Sequence, residues 1–223
     1  MINQNAWEAL TAELQPKGVT LVAVSKTKPV SDIEALYALG QRDFGENYVQ
    51  ELAEKAAILP KDIRWHFIGH LQSNKVKVIA PFVHLIHGVD SFRLLLEINK
   101  QAQKVSRTID MLLQMHVAKE ETKFGLAEKE IIELLQYYDA QQADLQHVRI
   151  CGLMGMATDT EDEAQIRAEF GRLHALFLNL KQSEFLAKSY FSVCSMGMSA
   201  DYRLAVEEGS TMVRIGSRLF GAR

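Results

Sequence analysis

The chain has 223 residues, 48% hydrophobic and 24% charged, with a formal net charge of −3. That length fits one large domain or two small ones, and the hydrophobic fraction suffices for a substantial core. The slightly acidic balance argues against a nucleic-acid footprint, no apolar run reaches the roughly 18 residues that span a bilayer, and the N-terminus lacks the regions of a signal peptide.

Short apolar runs alternate with longer helical patterns along the chain. An amphipathic segment, Gln4–Leu14, precedes the first strand at Val19–Ser25. Ser31 and Asp32 read as caps of a helix running through Leu39. A strand at Arg42–Phe44 leads to a helix over Tyr48–Ile58, and a third strand, Trp65–Ile68, to a helix near Ser73–Ile79. Strand four is Val83–Val89 with helix Phe92–Val105. Strand five is Ile109–Val117 with helix Glu128–Tyr138. Strand six is Val148–Met154, followed by a long helix from Glu161 to Leu180. Strand seven is Tyr190–Cys194 with helix Ser199–Glu208, and strand eight is Met212–Ile215.

Eight strand–helix units imply parallel pairing and fit a single α/β domain over residues 1–223, a closed (β/α)₈ barrel with an extra N-terminal helix. A doubly wound open sheet is the rival, but no Gly-rich dinucleotide fingerprint follows strand one. No Pro/Gly/Ser linker or low-complexity tract divides the chain. Cys151 and Cys194 sit in strand-like runs and read as buried reduced thiols, which points to the cytoplasm. No Cys/His cluster has zinc-ligand spacing, and two His four apart on a strand, His66 and His70, do not suit a metal.

In such a barrel, functional residues gather at the C-terminal strand ends. The candidates there are Lys26, Glu46, Asn47, His70, Asp90, Ser91, Met154, Ser195 through Ser199, Arg214, Gly216 and Ser217. A partly desolvated lysine at a strand mouth can form a Schiff base. Ser195, Gly197, Gly216 and Ser217 offer hydroxyl and backbone N–H groups to a phosphate, and Ser199 can serve as a helix N-cap. Arg214 shares a face with Gly216; inward, it can donate to a ligand acceptor, and the alternatives are that it points outward to a helix or ion-pairs with a core carboxylate. An amine-reactive lysine beside a phosphate cradle suggests an aldehyde-bearing phosphate, and pyridoxal 5'-phosphate (PLP) is the natural candidate.

Several blocks in one order resemble a single family. They are Val24-Ser-Lys-Thr-Lys28, Phe44-Gly-Glu-Asn-Tyr-Val-Gln-Glu51, Trp65-His-Phe-Ile-Gly-His-Leu-Gln-Ser-Asn-Lys75, Gly152-Leu-Met154, Ser195-Met-Gly-Met-Ser-Ala-Asp201 and Val213-Arg-Ile-Gly-Ser-Arg-Leu-Phe-Gly221. Together they resemble the pyridoxal phosphate homeostasis proteins, whose fold is similar to the N-terminal barrel of alanine racemase. The stretch His116–Gly125 departs from the family pattern, which more often has Asn near its start. The resemblance implies that Lys26 is the Schiff-base lysine and that Asn47 lines the cofactor face. It implies a phosphate site at Ser195, Gly216 and Ser217, with Arg214 as partner of the pyridine nitrogen. It further implies a monomeric carrier or regulator of PLP and related B6 vitamers, serving apo PLP-dependent enzymes without strong turnover of its own. Alanine racemases carry a second, β-rich domain supplying a tyrosine base, whereas this chain ends just after strand eight. A racemase-like enzyme and a Schiff-base aldolase barrel are the competing readings.

Overall fold

A computed structural model describes residues 2–120 and 124–221. Residues 121–123, within the His116–Gly125 stretch, lie outside the described residues. Eight parallel strands pair in chain order and close on themselves. They are β1 Thr20–Val24, β2 Asp43–Glu46, β3 Arg64–Phe67, β4 Leu85–Val89, β5 Ile109–Gln114, β6 Val148–Met154, β7 Val193–Ser195 and β8 Met212–Ile215. The last strand returns to the first, with Val22 opposite Arg214 and Ala23 opposite Ile215. That pairing excludes the open sheet. The intervening helices are α2 Val30–Ala38, α3 Val49–Ile58, α4 Val76–Ile79, α5 Phe92–Lys104, α6 Glu128–Ala140, α7 Glu163–Gln182 and α8 Tyr202–Glu207. Helix α1, Gln4–Leu14, precedes β1, and a last short helix α9, Ser217–Phe220, follows β8. The Asn3 side chain caps α1 by accepting from Ala6 N, and Asn3 N donates to Leu219 O at 2.8 Å, so the expected N-terminal helix is fastened to α9.

Strand alternation sorts the core into two clusters. Val22, Leu85, Leu112, Cys151, Met154 and Met212 pack together in the barrel lumen. Their immediate neighbours Ala23, Ile86, Met111, Ile150 and Val213 belong to the larger cluster between sheet and helices. Successive side chains point to opposite faces, so His87, two after Leu85, and Arg214, two after Met212, also face the lumen.

Among the boundaries that differ from the sequence expectation, three have a clear physical cause. Helix α2 starts directly after Pro29, whose φ of −68° suits a helix start, so Ser31 and Asp32 lie within the first turn instead of capping it. Strand β7 does not begin at Tyr190. Phe191 is fully buried, with its ring 4.0 Å from Phe185 and 5.3 Å from Phe177, and its N–H donates to Lys188 O. Aromatic packing against α7 therefore holds residues 188–191 in a turn. Helix α8 starts after Asp201, not Ser199, because Met198 N donates to Asp201 Oδ1 and closes a turn ahead of it.

Candidate functional site

The C-terminal ends of β1, β2, β3 and β8 and the loops after β6 and β7 enclose a cavity of about 380 Å³, within the range of small-molecule sites. Closure of β8 on β1 brings residues from opposite ends of the sequence onto one wall. Lys26, Asn47, Arg214, Gly216 and Ser217 all line it, joined by Met156 and Ser199.

Lys26 is half-buried and sits in a tightly fastened turn. Thr27 adopts a φ of 64°, a left-handed conformation that costs a non-glycine residue roughly 1–2 kcal/mol. Its N–H donates to Glu51 Oε1 at 2.6 Å. On the other side of Lys26, the Ser25 carbonyl accepts from Lys55 Nζ at 2.8 Å and the Ser25 hydroxyl donates to Glu46 Oε1 at 2.6 Å. Lys55 Nζ completes the knot with contacts of 2.7 Å to both Glu46 and Glu51. Burial pushes the Glu46 carboxyl up, against hydrogen bonds from Lys55 and Ser25. Glu46 is thus turned toward α3, away from the cavity. Lys28 also lines the wall, but its amine donates to Phe220 O at 3.1 Å and Gly221 O at 3.3 Å.

Asn47 follows β2 and has a buried Oδ1 with no hydrogen-bond partner. A buried acceptor left so costs about 1–3 kcal/mol, which a ligand donor would recover. Its backbone position depends on Gly69, where a Cβ would lie 2.3 Å from Asn47 O. Only glycine permits that approach.

Arg214 forms the floor of the cavity. Its Nη1 donates to Ser195 O at 2.9 Å and Ser195 Oγ at 2.6 Å, and Nη2 donates to Gly155 O at 3.1 Å. A guanidinium has five donors, so donors remain for a ligand. Burial pulls its pKa down to about 10, which leaves it cationic at neutral pH. Above it, the Ser199 hydroxyl accepts from Gly216 N at 3.2 Å and the Ser199 carbonyl accepts from Arg218 Nε at 2.7 Å, lacing the last two loops together. The N–H groups of Ser217 and Arg218 open α9, where backbone donors lack intrahelical partners.

The structure does not bring Met154, Ser195 or Gly197 to the wall. Met154 packs in the lumen cluster, and Met156 takes the wall position two residues on. Ser195 ends β7 fully buried, its hydroxyl engaged by Arg214 and His87, so it stands beneath the cavity wall. Gly197 has φ +95°, and a Cβ there would meet Ala205 Cβ at 2.6 Å; its conformation serves the turn into α8. His70 and Asp90 face each other at 3.5 Å on the rim, while Ser91 caps α5 through Leu94 N. Sequence reading missed Thr27, Glu51, Lys55, His87 and Ser199 as a bridge. His87 alone carried a signal, since it follows Leu85 by two within one strand.

The profile of the family described as alanine racemase, N-terminal domain, matches residues 2–223. The chain is 38% identical over 226 aligned positions to the pyridoxal phosphate homeostasis protein of Pasteurella multocida (strain Pm70), covering 100% of this chain and 94% of that protein. It is 40% identical over 204 positions to the protein of that name from Aquifex aeolicus (strain VF5), covering 91% and 86%. Its fold is similar to that of PipY from Synechococcus elongatus PCC7942 solved with PLP bound, with a TM-score of 0.84, 36% identity and coverage of 97% and 99%. The chain belongs to the pyridoxal phosphate homeostasis protein family, built on the alanine racemase-like (β/α)₈ barrel.

Proposed function

We propose that this chain binds PLP through a Schiff base to Lys26 and acts in intracellular PLP homeostasis, with little turnover of its own. The observation that carries the reading is that the lysine of the first strand and the arginine and open helix end of the last strand share one cavity. The orphaned Asn47 Oδ1 fits a ligand in that space. Bound PLP supplies an aldehyde for the lysine amine and an electron-withdrawing ring. Lys26 supplies the nucleophile, and the knot around Ser25 and Thr27 aims it. Arg214, cationic and offering donors only, would leave the ring nitrogen unprotonated. The Ser217 N–H and hydroxyl and the Ser199 hydroxyl are the donors we assign to the phosphate, in place of Ser195 and Gly197, while the Gly216 N–H is held by Ser199.

The make-up of the wall supports low turnover. Among the described residues it carries no His, Tyr, Cys or carboxylate to act as a second proton carrier opposite Lys26. An open mouth also suits transfer of PLP and related vitamers to apo enzymes in the cytoplasm. Among the described residues, no helix is long and apolar enough to cross a membrane.

Incubation with PLP and borohydride, followed by peptide mass analysis, should place the label on Lys26, and Lys26→Ala should abolish the visible absorbance. Labelling of Lys28 or Lys75 overturns the assignment. Racemisation or decarboxylation of amino acids at about 1 s⁻¹ or faster, the low end of ordinary enzyme turnover, overturns the carrier reading.

A further inference from the structure

A line of buried polar groups runs through the lumen beneath the cavity. Arg214 Nη1 meets Ser195 Oγ at 2.6 Å, and Ser195 Oγ meets His87 Nδ1 at 3.2 Å. His87 Nε2 meets His66 Nδ1 at 3.0 Å, and His66 Nε2 meets Asp43 Oδ1 at 3.0 Å. Asp43 in turn is held by Arg64 at the N-terminal rim, where the Arg64 side chain is 47% exposed. His66, His87 and Ser195 are essentially excluded from solvent.

One self-consistent set of proton positions runs along this line. A guanidinium only donates, so Ser195 Oγ accepts from Arg214. With that bond made, the Ser195 hydroxyl can give its own proton to His87 Nδ1. A neutral His87 with an accepting Nδ1 carries its proton on Nε2 and donates to His66 Nδ1. His66 therefore donates from Nε2 to the Asp43 carboxylate. Every bond points the same way, from the cation under the cavity to the anion at the far rim. A protonated His87 would break this order, because its Nδ1–H would donate to the Ser195 oxygen instead of accepting from it. Burial holds the His87 pKa well below its ordinary value, and the charge of Arg214 acts in the same direction.

We propose that Ser195, His87, His66 and Asp43 are positioning residues for Arg214, a one-way donor relay that fixes the guanidinium as a cationic donor toward the ring nitrogen of the ligand. The ligand's role rests on the PLP reading above; the relay itself belongs to the ligand-free chain. It keeps Ser195 from offering a proton toward the cavity and ties the electrostatics of the site to a carboxylate at the opposite end of the barrel. Hydrogen bonds polarised in sequence inside a low-dielectric lumen reinforce one another.

Two measurements test it. In the ligand-free protein, nitrogen-15 NMR of the imidazole rings should show His66 and His87 both protonated on Nε2, with the His87 signals unchanged across roughly pH 5–8, the range in which free histidine titrates. A proton on Nδ1 of either ring, or titration of His87 in that range, overturns the relay. In the second measurement, Ser195→Ala and His87→Phe should each weaken PLP binding about tenfold, the size of one charge-assisted hydrogen bond, and shift the visible band of the bound chromophore. The double variant should be no weaker than either single one. His87→Gln, whose amide can accept from Ser195 and donate to His66, should restore affinity and spectrum. Wild-type affinity and spectrum in both Ser195→Ala and His87→Phe overturn the proposal. Should wild-type protein bind no PLP, the functional reading fails, and the imidazole spectra alone decide the relay.

Discussion

Lys55 never reaches the cavity, yet it holds the backbone on which Lys26 rides. It is 5% exposed and paired with Glu46, which is wholly buried. Removing one partner of a buried ion pair strands the other, at a cost of roughly 3 kcal/mol or more. Lys55→Met should accordingly lower the melting temperature by about 6–12 °C in a chain of this size, measured by calorimetry; an unchanged melting temperature rules out the knot. Asp43 gives a pH-dependent counterpart. Burial pushes its carboxyl up, but hydrogen bonds from His66 and Arg64 outweigh burial and hold it far below the usual carboxylate range. A carboxyl with a depressed folded pKa lends stability above its unfolded pKa and loses it as pH falls toward the folded one. Asp43→Asn should therefore be less stable than the parent by about 2 kcal/mol at neutral pH, with the gap closing as pH drops below about 4. Urea unfolding at neutral and acid pH checks this, and a gap independent of pH contradicts it. Neither Lys55 nor Asp43 was legible in the sequence as part of a site. Lys55 reads as one more charge on an amphipathic helix, and Asp43 as a residue near a strand start. Their partners come from other elements, and nothing local announces the pairing.

Strands and helices were legible where the signal is local. The apolar runs at Thr20–Val24, Val148–Met154 and Met212–Ile215 mark strands whose bounds the sequence patterns track closely. The reading slipped where packing across elements overrides local pattern, as with Phe191, which leaves the sheet for a stack against α7. It slipped again at Ser199, whose residue type suits a helix cap but whose hydroxyl bridges to Gly216. That bridge joins the loops after β7 and β8 into one wall. Ser199→Ala should loosen the wall without unfolding the barrel: a fall in PLP affinity of about threefold to tenfold, equivalent to one hydrogen bond, with the melting temperature nearly unchanged. Titration of PLP into the variant, beside a thermal melt, tests both halves. A melting temperature that falls steeply with affinity unchanged contradicts the assignment.

The whole barrel isolates its reactive groups from one another. Burial pushes both thiols, Cys151 and Cys194, up to about 12, so at neutral pH they carry almost no thiolate. Iodoacetamide at pH near 8 should leave both unmodified in the native protein and alkylate both in urea, as mass spectrometry would show; rapid labelling of the native protein contradicts their burial. The fold class was readable because eight alternating units are a count along the chain, whereas the lumen relay was not, because it crosses β2, β3, β4, β7 and β8. One further consequence lies in the seam between β1 and β8. Because Lys26 follows β1 and Arg214 stands on β8, a folding intermediate without that seam contains both residues and still no shared cavity. Contacts so distant in sequence form slowly, since loop-closure entropy opposes them. Capture of the chromophore in a stopped-flow experiment should hence lag behind helix formation and report ring closure. Conversely, ligand at about a hundred times its dissociation constant would stabilise the closed chain by about 2.7 kcal/mol through mass action, making the vitamer a staple for the very seam that creates its pocket.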